Sequence, residues 1–382
     1  MTDVQTLAGK QIVVGVTGSI AAVEIVRLIH SLRRCGATVQ VVMSEAAAGI
    51  ISPDSLTYAS GRPAITRISG MVEHVTYCGD GGSADLLLIA PCTANTISKI
   101  ACGIDDTPVT TFATTALGSG MPVLVVPAMH HSMYRHPAVR GNLECLRAWG
   151  VGVVDPRIEE GKAKIADNET IVLWCERMIL GTALKGKRVI ITSGPCREPV
   201  DDVRVLTTRS TGLIGRALAL EAFRLGAEVT VVHRDTFPCI TNIFAESAAD
   251  MRKAVRRCFS KDGADIYISA AAISDFAPKK YPGKIPSGKK TSLELSPLPK
   301  LLDEVIRDFA PVTVAFKIGT DTEVQARAML RKGVTAVLTN TPATMGSRDG
   351  EYVLLAGRKK TTLKGSKDAI AHEFWKDLPN LI

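Results

Sequence analysis

Gly9-Lys10-Gln11-Ile12-Val13-Val14-Gly15-Val16-Thr17-Gly18, and later Gly186-Lys187-Arg188-Val189-Ile190-Ile191-Thr192-Ser193-Gly194, decide the fold. Each is an apolar run that ends in a glycine turn, the pattern of a buried strand. A helical pattern follows each, and then a Gly-Ala turn and a second run: Gly36-Ala37-Thr38-Val39-Gln40-Val41-Val42 in the first half, Gly226-Ala227-Glu228-Val229-Thr230-Val231-Val232 in the second. The chain therefore begins a β-α-β unit twice.

Apolar runs go on alternating with helical patterns, at residues 85–90, 121–126 and 151–154 and again at 265–270, 312–316 and 334–339. This predicts an α/β protein with two doubly wound, Rossmann-like parallel-sheet domains in tandem. A length of 382 residues suits two cores. The boundary is expected after the helical pattern of residues 169–180, giving domains of 1–183 and 184–382. From first glycine to Gly-Ala turn the second unit takes 40 positions against 27 in the first, 13 more. The excess falls between first strand and first helix, at the carboxyl edge of the sheet, where open α/β folds bind ligands.

Composition narrows the function classes. With 46% apolar and 22% charged residues, and no apolar stretch near the roughly 20 residues of a bilayer span, a soluble chain without a membrane partner is expected. Residues 1–10 lack the apolar core of a secretory signal, which favours the cytoplasm. Nine cysteines are odd in number and scattered, with Cys92, Cys102, Cys145 and Cys175 in apolar segments, so reduced core thiols are expected rather than disulfides. No pair has C-x-x-C spacing. The net charge of +8 suits nucleic acid or several phosphorylated ligands. Only 5% aromatic residues, not interleaved with basic ones, argues against nucleic acid as a partner through base stacking.

Gly15-Val16-Thr17-Gly18-Ser19-Ile20-Ala21-Ala22 sets small residues and two hydroxyls at a strand-to-helix turn, where backbone N–H groups hold a phosphate. It lacks the G-x-G-x-x-G spacing of a dinucleotide site, and a ligand-free βα turn accounts for it equally well. Ala90-Pro91-Cys92-Thr93-Ala94-Asn95-Thr96 and Val126-Pro127-Ala128-Met129-His130-His131-Ser132-Met133-Tyr134 follow later strands. Together with Val42-Met43-Ser44-Glu45-Ala46 and Glu73-His74-Val75, these segments resemble the flavin-dependent cysteine decarboxylases, in particular the phosphopantothenoylcysteine decarboxylases, in family order through most of residues 10–180. The resemblance implies a flavoprotein-like first domain with Gly18, Ser19, Ile20, Ser44, Pro91, Thr93, Asn95 and Met129 around FMN. It also implies that His74 is an active-site base; a structural histidine is the plainer reading. Bacterial members carry asparagine where this chain has His130, which would then position the substrate carboxylate, and a lid cysteine that donates the last proton. The lid stretch here, Glu160-Gly161-Lys162-Ala163-Lys164-Ile165-Ala166-Asp167, has none. Both departures resemble the archaeal-type branch.

In the second half, Thr192-Ser193-Gly194-Pro195-Cys196-Arg197-Glu198-Pro199-Val200-Asp201-Asp202-Val203-Arg204 and Leu206-Thr207-Thr208-Arg209-Ser210-Thr211-Gly212 resemble the signature of the phosphopantothenate–cysteine ligases. Ala270-Ala271-Ala272-Ile273-Ser274-Asp275-Phe276, Lys284-Ile285, Leu298-Pro299-Lys300-Leu301 and Ala315-Phe316-Lys317 continue it in order. The whole chain thus resembles the bifunctional decarboxylase/ligase family of coenzyme A biosynthesis. What that implies is a ligase using CTP, with Mg2+ carried on the triphosphate, to join cysteine to 4'-phosphopantothenate. Its nucleotide site would take Gly194, Ala271, Ala272, Ile273, Asp275, Lys284, Leu298, Pro299, Lys300, Leu301, Phe316 and Lys332. Thr208 stands where the family has a catalytic asparagine, and Leu213 where a lysine is usual. Residues 276–291 contain Lys279, Lys280, Lys284, Lys289 and Lys290 and no carboxylate, which reads as a cationic lid over phosphates, with Lys289 as the catalytic lysine, or as a solvated turn. The resemblance further implies a homo-oligomer. A flavin enzyme of the same architecture acting on another substrate, and a non-catalytic flavin-binding relative, are the alternatives.

Overall fold

The computed structural model describes residues 4–288, 290–320 and 322–378. Contacts divide the chain into two units, Val4–Gly181 and Thr182–Ile382.

In the first unit, strands β1 (Gln11–Val16), β2 (Thr38–Met43), β3 (Leu86–Cys92), β4 (Val123–Pro127) and β5 (Gly152–Val153) form a parallel sheet in the order β2-β1-β3-β4-β5. The alternation of side chains along β1 explains the double winding. Ile12, Val14 and Val16 enter one core with the helices Ile25–Arg34, Pro53–Ser60 and Asn168–Leu180. Val13 enters the other, with Ala94–Ala101, Pro108–Gly118 and Pro137–Ala148. β3 divides likewise, Leu86 and Leu88 to one side and Leu87 and Ile89 to the other. Each such side chain is worth about 1.5–3 kcal/mol when fully buried, so a polar residue on either face of these strands would be costly.

The second unit is built on β6 (Arg188–Thr192), β7 (Glu228–His233), β8 (Thr241–Phe244), β9 (Ile266–Ser269), β10 (Val312–Ile318), β11 (Ala336–Asn340), β12 (Asp349–Ala356) and β13 (Lys359–Ser366), in the order β8-β7-β6-β9-β10-β11-β12-β13. The expected parallel sheet is present, and two further strands extend its last edge. Asp349–Ala356 pairs antiparallel with β11 and with β13; between β12 and β13 the two-residue connection Gly357-Arg358 can only reverse the chain. On one face the helix Leu213–Arg224 packs against the last helix, Lys367–Asp377, where the Trp375 indole donates to the Leu218 carbonyl at 2.9 Å. The 13 additional residues form an antiparallel hairpin, Arg197–Pro199 with Val205–Thr207, at the carboxyl end of β6.

None of the nine cysteines is in a disulfide. Cys92 and Cys175 are buried, Cys145 is half-buried, but Cys102 is exposed, because it caps the C-terminus of Ala94–Ala101 instead of continuing its apolar face. Burial pushes the Cys78 thiol up to about 12 and the Cys196 thiol up to about 11. Among the described residues no helix is long and apolar enough to cross a membrane.

Candidate functional site

Three helix starts line the carboxyl edge of the first sheet, after β2, β1 and β3. Ser44 caps Glu45–Ala48, its hydroxyl accepting from the Ala47 amide at 3.2 Å. Ser19 caps the 3-10 turn Ile20–Glu24 and accepts from Ala21 at 3.4 Å. Thr93 caps Ala94–Ala101 and accepts from Thr96 at 3.2 Å. A helix start offers about four unpaired N–H groups, of which a cap satisfies one. Gly18 lets the first two starts approach, since a Cβ there would lie 2.6 Å from that of Ala46. The second and third are tied through Thr17, whose hydroxyl donates to the Pro91 carbonyl at 2.7 Å and accepts from the Thr93 amide at 3.1 Å. Asn95 is exposed on the first turn of its helix, and Ile20 is 76% exposed beside Ser19.

The Ala128 amide donates to the Cys92 carbonyl at 3.1 Å, which brings Met129 and His130 to the same edge. Met129 and His130 pair antiparallel with Ala163 and Lys162, so the lid stretch is one arm of a hairpin, Arg157–Glu159 with Lys162–Lys164, anchored directly to His130. His130 is exposed, its Nδ1 accepting from the Ser132 amide at 3.3 Å and lying 2.8 Å from the Ser132 hydroxyl. His74 lies in the short helix Glu73–Cys78, its ring edge-on to Phe112 at 6.4 Å, and its Nδ1 is buried without a hydrogen-bond partner. An unpaired buried nitrogen costs about 1–3 kcal/mol.

In the second unit a cavity of about 790 Å³ opens at the carboxyl ends of β9, β10 and β11, within the range of small-molecule sites. Thr208 lines it with a hydroxyl that is buried and unpartnered. Ala271, Ala272, Ile273 and Asp275 form the wall after β9, Pro299, Lys300 and Leu301 enter from the next helix start, and Phe316 and Lys332 complete it. Asp275 and Lys300 form an ion pair with each other. Leu298 is not in this lining: its amide donates to the Asp275 carbonyl at 2.9 Å and its side chain packs on the core under Leu301–Phe309. Gly194, in the left-handed region at φ +79°, lines a neighbouring cavity.

The lysine-rich segment springs from an antiparallel pair, Phe276–Pro278 with Leu295–Pro297. It is held to the hairpin after β6, with the Ile285 amide donating to Asp201 at 3.0 Å and Lys280 pairing with Asp202 at 2.7 Å. Burial alone would raise the Asp201 carboxyl, but the amides of Ile285, Val203 and Arg204 and the Arg204 guanidinium hold it far below the usual range. Lys284 is exposed and lines neither cavity. Lys289 lies outside the described residues.

Tyr352 on β12 and Lys367 are among the lining residues that escaped the sequence reading. Lys367 is the first residue of the last helix yet only 7% exposed, and burial lowers its ammonium from the ordinary lysine value, with Asp349 opposing. A cation is disfavoured at a helix N-terminus, and that mismatch in Ser366-Lys367-Asp368 was the available signal. No three His, Cys, Asp or Glu side chains cluster as a metal site among the described residues.

The flavoprotein family model matches residues 2–179, and the model of the DNA/pantothenate metabolism flavoprotein C-terminal domain matches residues 184–381. The chain is 42% identical over 396 residues to the coenzyme A biosynthesis bifunctional protein CoaBC of Thermococcus kodakarensis, covering 100% of this chain and 98% of the relative. It is 33% identical over 398 residues to the protein of the same description from Vibrio cholerae, covering 96% and 97%. Among solved structures, the C-terminal domain of a coenzyme A biosynthesis bifunctional protein CoaBC is similar, with 28% identity, a TM-score of 0.44, and 52% of this chain and 97% of that chain covered.

Proposed function

The chain belongs to the CoaBC family of bifunctional coenzyme A biosynthesis proteins, and from that premise we propose that its second unit ligates cysteine to 4'-phosphopantothenate and its first unit decarboxylates the product to 4'-phosphopantetheine. The observation that carries the ligase half is the cavity that gathers Thr208, the 271–275 wall, Phe316 and Lys332 from separate segments at one sheet edge.

The ligase uses CTP. The substrate carboxylate attacks the α-phosphorus and expels pyrophosphate, and the cysteine amine then attacks the acyl carbon and expels CMP. The reacting phosphates gather negative charge, which fixed cations and N–H dipoles stabilise best where water is excluded. Lys300 and Lys332, which line the cavity, supply the cations. The buried Thr208 hydroxyl, unpartnered within the protein, supplies a donor toward the acyl phosphate. Mg2+ would arrive with the nucleotide, in keeping with its preference for few protein ligands, and would neutralise charge on the phosphates.

In the first unit the residues fit FMN on two counts: the three helix starts that Gly18 and Thr17 draw together, and the unpaired nitrogen of His74. FMN, when bound, supplies the electron sink that decarboxylation of a cysteine carboxylate lacks. The amides of the Ser19, Ser44 and Thr93 turns hold its phosphate and polar groups. His74 holds and moves the proton at the reacting end, and His130, oriented by Ser132, binds the substrate carboxylate. The hairpin of residues 157–164 covers this end and excludes water.

The test has two readouts. The purified protein should be yellow and release FMN on denaturation, and should release pyrophosphate over many turnovers only when phosphopantothenate and cysteine are both present, faster with CTP than with ATP. A colourless protein that takes up no FMN would remove the first assignment, and nucleotide-independent silence would remove the second.

A further inference from the structure

Along β2 the side chains alternate between the two cores of the first unit: Val39, Val41 and Met43 enter one, and Val42 enters the other. Gln40 falls in step with Val42 and is only 4% exposed, so an amide stands where the alternation calls for an aliphatic side chain. Burying such a group is unfavourable unless its polar atoms are satisfied. Its NH2 donates to the Val41 carbonyl at 3.2 Å and to the Pro63 carbonyl at 2.9 Å. With both donors spent on carbonyls the amide oxygen is left as the acceptor, and it takes the Tyr77 hydroxyl at 3.1 Å.

Tyr77 lies on the helix that carries His74. That helix, Glu73–Cys78, is six residues long, too short to hold its shape alone. Its N-cap, Val72, stands in the left-handed region at φ 46° and brings no side-chain cap, a conformation that a β-branched residue keeps only where its surroundings impose it. The Ser69 amide donates to the Glu73 carboxylate at 3.0 Å at one end, and the Ser119 hydroxyl donates to the Cys78 carbonyl at 2.6 Å at the other. Between these ends His74 and Tyr77, three residues apart, share a face. Both rings meet Phe112 with centroids 6.4 Å from its own, Tyr77 stacked at 30° and His74 edge-on at 65°. The His74 ring makes no hydrogen bond to any described residue, and its Nδ1 is buried. A histidine base is ordinarily aimed by a hydrogen bond to its second nitrogen; here packing has to aim it.

We propose that Tyr77 is the positioning residue for His74, with Gln40 fixing the Tyr77 hydroxyl and Phe112 carrying that placement to the imidazole. The inference rests on the reading of His74 as the decarboxylase base. It also explains the buried glutamine: the amide ties the helix of the base to a strand of the central sheet at the one point where the helix faces the core. Proton transfer needs its two heavy atoms within hydrogen-bond reach, and a misplacement of about 1 Å can cost on the order of 100-fold in rate. Removing one restraint of the stack costs less, because the fraction of correctly placed rings falls only by what that restraint contributed.

Tyr77→Phe, Gln40→Met and the double variant are made in the full chain, loaded with FMN and assayed on supplied phosphopantothenoylcysteine, with His74→Asn beside them. Each single variant should lower kcat per bound flavin by about 3- to 10-fold, the range for one neutral hydrogen bond, with KM and flavin affinity changed by less than about 2-fold. The double variant should be no slower than the slower single one, because both remove the same bond. A residue that served stability alone would lower the denaturant midpoint and leave kcat per bound flavin intact. A second readout needs no turnover. With the histidines carbon-13 labelled at Cε1, the His74 signal, identified by its loss in His74→Asn, should shift in Tyr77→Phe, whose ring still stacks, and in the same direction in Gln40→Met. An unmoved His74 signal overturns the proposal, and so does a kcat within about 2-fold of wild type in both single variants when His74→Asn is inactive. A shifted signal in a chain whose His74→Asn variant decarboxylates normally would refute the base reading and leave the placement of the ring by Tyr77 standing.

Discussion

The Lys367 ammonium donates a 2.8 Å hydrogen bond to the Tyr352 hydroxyl and lies 4.6 Å from the centroid of the same ring. Tyr352 in turn meets Phe316 edge-on at 6.1 Å, so the ring expected against the nucleobase is braced by a buried cation from the last helix. Gly350 leaves the room, since a Cβ there would lie 2.8 Å from the ammonium. A hydrogen bond to a charged group is worth about 1.5–3 kcal/mol, roughly 10- to 100-fold in an equilibrium constant. Lys367→Met should therefore raise the nucleotide KM of the ligase by about 10-fold or more, with decarboxylation of supplied phosphopantothenoylcysteine unaffected. An unchanged KM would mean that Lys367 only fills space.

Gly18→Ala tests the flavin cradle. The new methyl would sit 2.6 Å from the Ala46 Cβ, and because both are fixed to backbone, one helix start must move. Overpacking of this kind costs about 1–3 kcal/mol. The variant should purify with much less flavin and a less stable first unit, as read by absorbance and denaturant unfolding. Full occupancy would separate the glycine from the cofactor.

His74→Asn should abolish carbon dioxide release while flavin stays bound and the cysteine conjugate accumulates, since the unpaired nitrogen of His74 lies away from the three helix starts in sequence. Normal decarboxylation by this variant would leave His74 a structural residue.

The second unit should lose stability as pH rises. His372 Nδ1 lies 2.8 Å from Glu221, which also pairs with Arg224 at 2.9 Å. The hydrogen bond to Glu221 raises the His372 pKa above its ordinary 6.5, with burial opposing. Burial pushes the Glu221 carboxyl up, but His372 and Arg224 outweigh it and lower the pKa. A histidine whose pKa is raised on folding contributes fully below its unfolded value and loses that contribution as pH rises through the folded value. The denaturant midpoint of the second unit should therefore fall from pH 6 upward through the raised pKa, and His372→Asn should flatten that slope. A wild-type midpoint that is level, or rises, over this range contradicts the assignment.

The strands were legible because β1 and β6 are buried on both faces and read as unbroken apolar runs closed by glycine. The β12–β13 hairpin was passed over although Gly357-Arg358 is a turn signal, since only one face of β13 is apolar and Leu363 is its one fully apolar side chain. The caps Ser19, Ser44 and Thr93 could be read locally, each standing just before a helix. Tyr352 could not, because it meets Phe316 and Lys367 only through the fold.

The central claim is that one chain performs both steps, and product masses test it most directly. The purified protein, given 4'-phosphopantothenate, cysteine, Mg2+ and CTP, should yield 4'-phosphopantetheine with one equivalent each of CMP, pyrophosphate and carbon dioxide, and phosphopantothenoylcysteine should appear only transiently. No cysteine conjugate under these conditions, or a conjugate that is never decarboxylated by the flavin-loaded protein, would contradict it.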